Sequence, residues 1–451
     1  MVNKVKHLIT IDDFYEEIET IFAMADEFCD KYELWDENKE SIRGRIERCN
    51  NYILASLFFE PSTRTRFSFE TAMQRLGGGV ITATEPGSTS ISKGESIADM
   101  VRVVGKYADI IVIRHPWEGA PRFATKYAEV PIINAGDGAH EHPTQTLCDL
   151  YTLYREFRGD SKNSLSKAIK GKTILICGDL KHGRTVHSLV YALANFGANI
   201  IAYSAPGLEL QSHVIRRLES DYECLVRSFD EKNLAVDAVY VTPSKKPHQL
   251  SIFTEAEIKI QITFRKAAKE IDALYVTRLQ KERLPQAAKW NGKAYPVINR
   301  RFLSTKRYKS ARILHPLPRV DELSYDIDKD ERGIYFKQAA YGVAVRMALL
   351  CYLLELKKGS EYSQRNQLTE DEIFSHKRYP LYSKNPKCPN QTCVSNHENK
   401  AKPTYWVISE RPLRLRCVYC EWEIEKSTRT SSYKTPELKE NIKGAIESKK
   451  S

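Results

Sequence analysis

Hydroxyls and guanidiniums crowd into one short stretch, Phe58-Phe59-Glu60-Pro61-Ser62-Thr63-Arg64-Thr65-Arg66. Upstream, residues 51–59 form an apolar run of strand length, which Glu60-Pro61 ends. Downstream, Phe67, Phe69, Ala72, Met73 and Leu76 recur at helical spacing until Gly77-Gly78-Gly79. Ser62, Thr63, Arg64 and Thr65 thus fall where a helix presents unpaired N–H groups and the positive end of its dipole. That is a socket for a phosphate dianion. An ordinary capping run, with Ser62 as N-cap and two solvated arginines, fits the same residues. This stretch alone leaves both readings open.

A second chemistry lies near the other end of the chain. Cys388-x4-Cys393 and Cys417-x2-Cys420 are two thiolate pairs separated by a longer loop. Four soft sulfur donors at paired short spacings suit tetrahedral Zn2+ in a closed structural site. His397 reads as loop surface, not as a ligand. With so few apolar residues, this module is expected to fold only with its metal. The other six cysteines, Cys29, Cys49, Cys148, Cys177, Cys224 and Cys351, are scattered in mostly apolar surroundings and read as buried thiols, not as a disulfide framework.

The elements that must position these groups alternate. Residues 53–59, 79–84 and 110–113 read as strands, interleaved with helical runs from Phe67 and over 94–107. A second alternating unit opens at Lys172-Thr173-Ile174-Leu175-Ile176-Cys177-Gly178-Asp179 and continues through a helix over 184–196 to a strand at 199–203. The expected class is α/β, with two parallel-sheet domains plus a small four-cysteine domain. No G-x-G-x-x-G follows the strand at 173–177, so no dinucleotide is expected; Gly178 and Gly183 frame instead a strand-to-helix turn of the ligand-binding kind. Val236-Asp237-Ala238-Val239-Tyr240-Val241-Thr242 nearly repeats as Ile271-Asp272-Ala273-Leu274-Tyr275-Val276-Thr277. Two copies are too few for a repeat architecture.

At 451 residues, two or three domains are expected. No segment has the uninterrupted apolar length of a membrane span. The N-terminus leads into Asp12-Asp13-Phe14-Tyr15-Glu16-Glu17 and not into an apolar signal core, so a cytoplasmic location is expected. The formal charge of +11 is spread along the chain, which points to anionic small molecules before nucleic acid.

The run F-x-x-x-S-T-R-T-R resembles the carbamoyl-phosphate motif of the aspartate and ornithine carbamoyltransferases. Arg114-His115-Pro116, Asn134-Ala135-Gly136-Asp137-Gly138, His142-Pro143-Thr144-Gln145-Thr146, Gly178 to Arg184, Thr277-Arg278-Leu279-Gln280 and His315-Pro316-Leu317-Pro318-Arg319 resemble the aspartate branch, in its order. The ornithine branch typically has a cysteine where Pro316 stands. The resemblance runs to about residue 355, and as an ordered set it is far more specific than any one segment. The segment from Cys388 to Glu421 resembles the zinc domain of the aspartate carbamoyltransferase regulatory chain, without the nucleotide-binding portion that precedes it there. Regulation by nucleotides in the family manner is therefore not expected.

The resemblance implies a transfer of the carbamoyl group from carbamoyl phosphate to L-aspartate, in pyrimidine biosynthesis and without a catalytic cofactor. It implies that Ser62, Thr63, Arg64 and Thr65 hold the phosphate, that Arg114 bridges phosphate and carbonyl oxygen, and that His142 and Thr65 donate to that oxygen. Gln145 and the Pro316 carbonyl would fix the carbamoyl nitrogen. Arg184, Arg278 and Gln280 would take the two carboxylates of aspartate, with Leu317 contributing backbone nearby. Ser90 and Lys93 match a loop that in the family enters a neighbouring subunit's site, which implies a homotrimer with shared sites; a larger assembly through the zinc domain is left open. The expected organisation is 1–157 for carbamoyl phosphate, 158–335 for aspartate, 336–356 as a returning helix, 357–385 as linker, 386–426 as zinc domain and 427–451 as a polar tail. Residues 243–270 read as an insertion relative to the family. Two other functions compete: an ornithine or other carbamoyltransferase, and a zinc-ribbon nucleic-acid-binding protein on an inactive scaffold.

Overall fold

The computed structural model describes residues 5–31, 46–84, 93–159, 164–204, 207–230, 237–243, 270–281, 295, 297–304, 306–358, 379, 381–382, 387–410 and 412–426. Ser90, most of the expected insertion, most of the expected linker and the polar tail lie outside them. The chain forms two compact units, one of residues 1–9, 44–140 and 349–451, the other of residues 10–43 and 141–348. The second unit includes a helix near its start, α1 (Ile18–Lys31).

The first unit holds β1 (Ile53–Phe58), α2 (Thr63–Arg75), β2 (Gly79–Ala83), α3 (Ile97–Val104), β3 (Ile110–His115), α4 (Ala120–Thr125) and β4 (Ile132–Asp137). The four strands form an all-parallel sheet in the order β2-β1-β3-β4. β3 and β4 are buried throughout, as near-continuous apolar runs under helices require. β2 is the edge and stays largely open.

The second unit begins its sheet region with α5 (Pro143–Phe157) and α6 (Leu165–Ile169), then β5 (Thr173–Cys177), α7 (Arg184–Asn195), β6 (Asn199–Tyr203), α8 (Ser212–Ser220), β7 (Cys224–Asp230), β8 (Asp237–Pro243), β9 (Ala273–Val276) and β10 (Arg312–Leu314). Its sheet runs β10-β9-β5-β6-β8-β7. The four strands from β10 to β6 are parallel, and β8 joins β6 antiparallel. The two near-identical stretches thus become β8 and β9, at different places in one sheet and with opposite pairing directions. A final long helix, α9 (Tyr335–Lys358), follows.

Within the first unit, β11 (Leu381–Tyr382), β12 (Tyr405–Glu410), β13 (Leu413–Cys417) and β14 (Glu423–Lys426) make an antiparallel sheet bearing the clustered cysteines. Its apolar residues, Tyr405, Trp406, Leu415 and Tyr419 among them, share one core cluster with Phe123, Ala124 and Ile113 of the parallel-sheet portion. A module too small for a core of its own borrows one by docking.

Candidate active site and metal centre

The hydroxyl- and guanidinium-rich stretch stands where its sequence places it, between a strand and a helix. β1 ends at Phe58, and Ser62 is the extended N-cap of α2, its hydroxyl accepting no hydrogen bond from the helix-end amides. Its side chain is therefore not consumed in capping. Thr65 is buried on the first turn, whereas Thr63 and Arg64 are exposed. The Phe59 amide donates to the Arg114 carbonyl at 2.9 Å, which sets this turn beside the end of β3. Arg114 is nearly buried; its Nε lies 3.5 Å from Glu60, and one terminal nitrogen is 3.4 Å from the Ala135 carbonyl. Asn134 braces that carbonyl's loop, accepting from the Gly136 amide and donating to the Ile9 carbonyl and to Asp137. Three separate sequence segments so converge at the carboxyl ends of β1, β3 and β4, the edge where open α/β sheets bind ligands. Lys93 is exposed, just ahead of α3.

In the second unit the corresponding edge lies beyond β5, β9 and β10. Arg184 is the first residue of α7 and is buried at a helix end whose dipole disfavours a cation. Gln280 is pinned by its amide to Asp179 (3.1 Å) and by its side chain to the His182 carbonyl (2.8 Å). The Arg278 guanidinium reaches the Leu279 carbonyl. Asp179 itself is fully buried and also accepts from the His182 amide, so one carboxylate ties the turn after β5 to the segment after β9. Gly178, at φ +129°, has no room for a side chain: a Cβ would lie 2.3 Å from the Thr277 carbonyl. His142 is the N-cap residue of α5; its amide donates to Ser188 and its Nδ1 lies 3.4 Å from the Thr144 hydroxyl. Gln145 sits one turn along the same helix, partly open.

The segment after β10 is held by another buried carboxylate. The Leu317 amide donates to His315 Nδ1 at 2.7 Å, and His315 Nε2 meets Glu322 at 2.8 Å, while Glu322 also accepts from the Val320 amide. Leu317 takes a left-handed φ of +56° and precedes a cis Pro318. Arg319 turns away into a two-pronged pair with Asp328, stacked over Tyr325. Asp179 and Glu322, the braces of these segments, are not picked out by sequence reasoning. Each looks like an ordinary surface acid until its burial is seen.

The four cysteines meet as their spacing predicts. All are buried, and their sulfurs lie within 4.8 Å of one another. Metal–sulfur bonds of about 2.3 Å give a tetrahedron with edges of about 3.8 Å; Cys388–Cys420 and Cys393–Cys417 stand 3.6 and 3.8 Å apart. The donor set therefore fits a tetrahedral thiophilic ion. His397 lies outside the cluster, stacked at 4.6 Å on Trp117. Trp406 and Tyr419 are buried in the shared core, whereas Trp422 is partly exposed.

The module is fastened by polar contacts too. The Glu118 amide donates to the Thr392 carbonyl and its own carbonyl accepts from the Val394 amide, a strand-like exchange across the join. The Glu118 carboxylate takes Asn390 (2.6 Å) and the Thr392 hydroxyl (3.0 Å). Burial pushes its pKa up. Lys126 donates to the Tyr419 hydroxyl, and Arg122 pairs with Glu421 at 3.6 Å. Gly119, at φ +80°, would place a Cβ 2.6 Å from Tyr419.

Three family profiles match the chain: "Aspartate/ornithine carbamoyltransferase, carbamoyl-P binding domain" over residues 6–156, "Aspartate/ornithine carbamoyltransferase, Asp/Orn binding domain" over 231–353, and "Aspartate carbamoyltransferase regulatory chain, metal binding domain" over 386–429. The aspartate carbamoyltransferase catalytic subunit of Clostridium botulinum (strain Okra / Type B1) is 42% identical over 361 residues, covering 78% of this chain and 99% of the relative. That of Methanocaldococcus jannaschii is 43% identical over 355 residues, with the same coverage. The solved M. jannaschii catalytic subunit in an orthorhombic crystal form matches with a TM-score of 0.59 at 40% identity, over 78% of this chain and 99% of its own. Aspartate transcarbamoylase of Trypanosoma cruzi, in complex with N-(phosphonacetyl)-L-aspartic acid, matches with a TM-score of 0.59 at 32% identity, over 77% and 96%.

Proposed function

The chain belongs to the aspartate carbamoyltransferases and is a transferase of that type, and from this premise we propose which of its residues perform the transfer and what the fused metal module does. Ser62, Thr63, Arg64 and Thr65 hold the phosphate of carbamoyl phosphate at the start of α2. Arg114, with Thr65 and His142, stabilises the carbonyl oxygen as it gains negative charge in the tetrahedral transition state. Gln145 and the Pro316 carbonyl accept from the carbamoyl nitrogen. Arg184, Arg278 and Gln280 orient L-aspartate, with Leu317 beside them, so that its α-amine attacks the carbamoyl carbon. The C–N bond forms as the C–O bond to phosphate breaks, and the departing phosphate takes the amine proton. Positioning and charge neutralisation carry the catalysis.

The observation that carries the aspartate assignment is the buried Arg184 at the head of α7, on the sheet edge that also bears Arg278. Two guanidiniums there suit a dicarboxylate, whose planar groups they bind two-pronged, and repel a cationic side chain. Ser90 and Lys93 serve a neighbouring subunit in a homotrimer. The metal is Zn2+, held by Cys388, Cys393, Cys417 and Cys420 in a structural role, and the enzyme works in the cytoplasm in pyrimidine synthesis. Among the described residues no helix is long and apolar enough to cross a membrane.

Steady-state kinetics of Arg184→Ala tests the assignment. A raised KM for aspartate with an unchanged KM for carbamoyl phosphate is expected; a change confined to carbamoyl phosphate would reassign Arg184. Size measurement and metal analysis of the purified chain test the trimer and one Zn2+ per chain.

A further inference from the structure

A buried carboxylate with no part in the reaction as described lies one helical turn beyond Gln145. Asp149 is wholly enclosed and gathers three donors: Gln145 Nε2 at 2.7 Å and Gln338 Nε2 at 2.6 Å, both on Oδ1, and the Tyr275 hydroxyl at 2.8 Å on Oδ2. The amide orientations follow from chemistry. The His315 backbone N–H can only donate, and it lies 2.9 Å from Gln338 Oε1, so Gln338 must turn its NH2 toward Asp149. Oδ1 is therefore an acceptor, and Gln145 must turn its NH2 to it as well. The Gln145 oxygen is left pointing elsewhere, as an acceptor for an N–H donor.

The same carboxylate reaches the second acceptor through Gln338. Gln338 holds the His315 amide, and the His315 ring in turn takes the Leu317 N–H. In a planar trans peptide the Pro316 carbonyl points opposite to that N–H. Both acceptors assigned to the carbamoyl nitrogen thus depend on one buried group.

We propose that Asp149 is the positioning residue that makes this enzyme choose a carbamoyl group over an acyl group, by fixing the Gln145 oxygen and the Pro316 carbonyl as a pair of acceptors for –NH2. The inference rests on the roles given above to Gln145 and Pro316. A site built to receive N–H donors rejects a group that lacks them, because its acceptors are then buried without partners. Burial raises the Asp149 pKa to about 7. A proton on Oδ2 leaves Oδ1 accepting from both amides, so the orientation holds on either side of that value.

Asp149→Leu removes the acceptor to which both glutamines donate, so nothing then holds the Gln145 oxygen in its outward orientation. Acetyl phosphate carries a methyl group where carbamoyl phosphate carries –NH2 and is the probe. The readout is selectivity, the Ki of acetyl phosphate divided by the KM of carbamoyl phosphate with aspartate saturating; the Kd of inorganic phosphate is measured alongside. Asp149→Leu is expected to lower selectivity about tenfold or more while the phosphate Kd holds. Tyr275→Phe, which touches only Oδ2, is expected to leave selectivity unchanged. Should Asp149→Leu fail to fold, Gln338→Leu cuts the tie to His315 and is expected to lower selectivity about threefold. Unchanged selectivity in folded Asp149→Leu, or in Gln338→Leu when that variant stands in, overturns the proposal. If the wild type shows no preference for carbamoyl phosphate, the reading of Gln145 and Pro316 fails first, a different result from the loss of Asp149's role alone.

Discussion

The turn proposed to bind phosphate in the first unit and the edge proposed to bind aspartate in the second present cations in opposite ways. The first is local. Ser62, Thr63, Arg64 and Thr65 are neighbours in sequence at the start of α2, and the Ser62 hydroxyl takes no capping hydrogen bond there. The second is assembled. Its arginines and Gln280 come from separate segments, and the fully buried Asp179 ties the turn after β5 to the residues after β9. A local site is robust to distant substitution, whereas an assembled one inherits the fragility of its braces.

That contrast can be broken most severely at the local site itself. Arg64→Ala is expected to cost about 10²- to 10³-fold in kcat/KM, expressed in carbamoyl phosphate. Ser62→Ala, by contrast, is expected to leave the Tm nearly unchanged, because its hydroxyl caps nothing in the protein. A large fall in Tm for Ser62→Ala would show that the turn depends on that cap after all.

Asp179→Ala sharpens the comparison from the other side. It leaves the Gln280 and His182 amides without their acceptor, a cost of about 1–3 kcal/mol per buried group. An increase of about tenfold to hundredfold in KM for aspartate is expected, with phosphate binding intact. Equal damage to phosphate binding would mean that the two regions are not independently built.

The metal module offers a smaller, structural effect. Gly119→Ala puts a side chain against Tyr419 at a left-handed position, and a loss of about 1–3 kcal/mol is expected. Thiol titration should then report the four buried cysteines reacting faster. Unaltered cysteine reactivity would argue that the module does not rest on this turn.

The weakest effect is a pH slope. Asp149 titrates near 7 in the folded chain, against about 4 unfolded. Its contribution to stability is thus fully present below about pH 4 and is lost as pH rises toward 7, by at most about 1.4 kcal/mol per pH unit. The difference in unfolding free energy between wild type and Asp149→Asn should change across that window. A difference independent of pH would place the Asp149 pKa in the ordinary carboxylate range.

The same contrast explains what the sequence disclosed. Short contiguous patterns carry their own geometry, so the α2 turn and the paired cysteines are legible in the sequence alone. Asp149, Asp179, Glu322 and Glu118 were not, because an acid reads as solvated until the chain closes over it. Strand direction is equally hidden: two stretches of nearly the same sequence pair in opposite senses as β8 and β9. The docking of the metal module through Gly119 and Tyr419 joins residues far apart in the chain, and no local signal marks it.

The central claim is most directly tested by carbamoyl transfer from carbamoyl phosphate with L-aspartate and L-ornithine as competing acceptors, using wild type and Arg278→Ala. The account predicts N-carbamoyl-L-aspartate from the wild type, none of the ornithine product, and a collapse in Arg278→Ala while phosphate still binds. Transfer to ornithine, or full aspartate activity in Arg278→Ala, would contradict it.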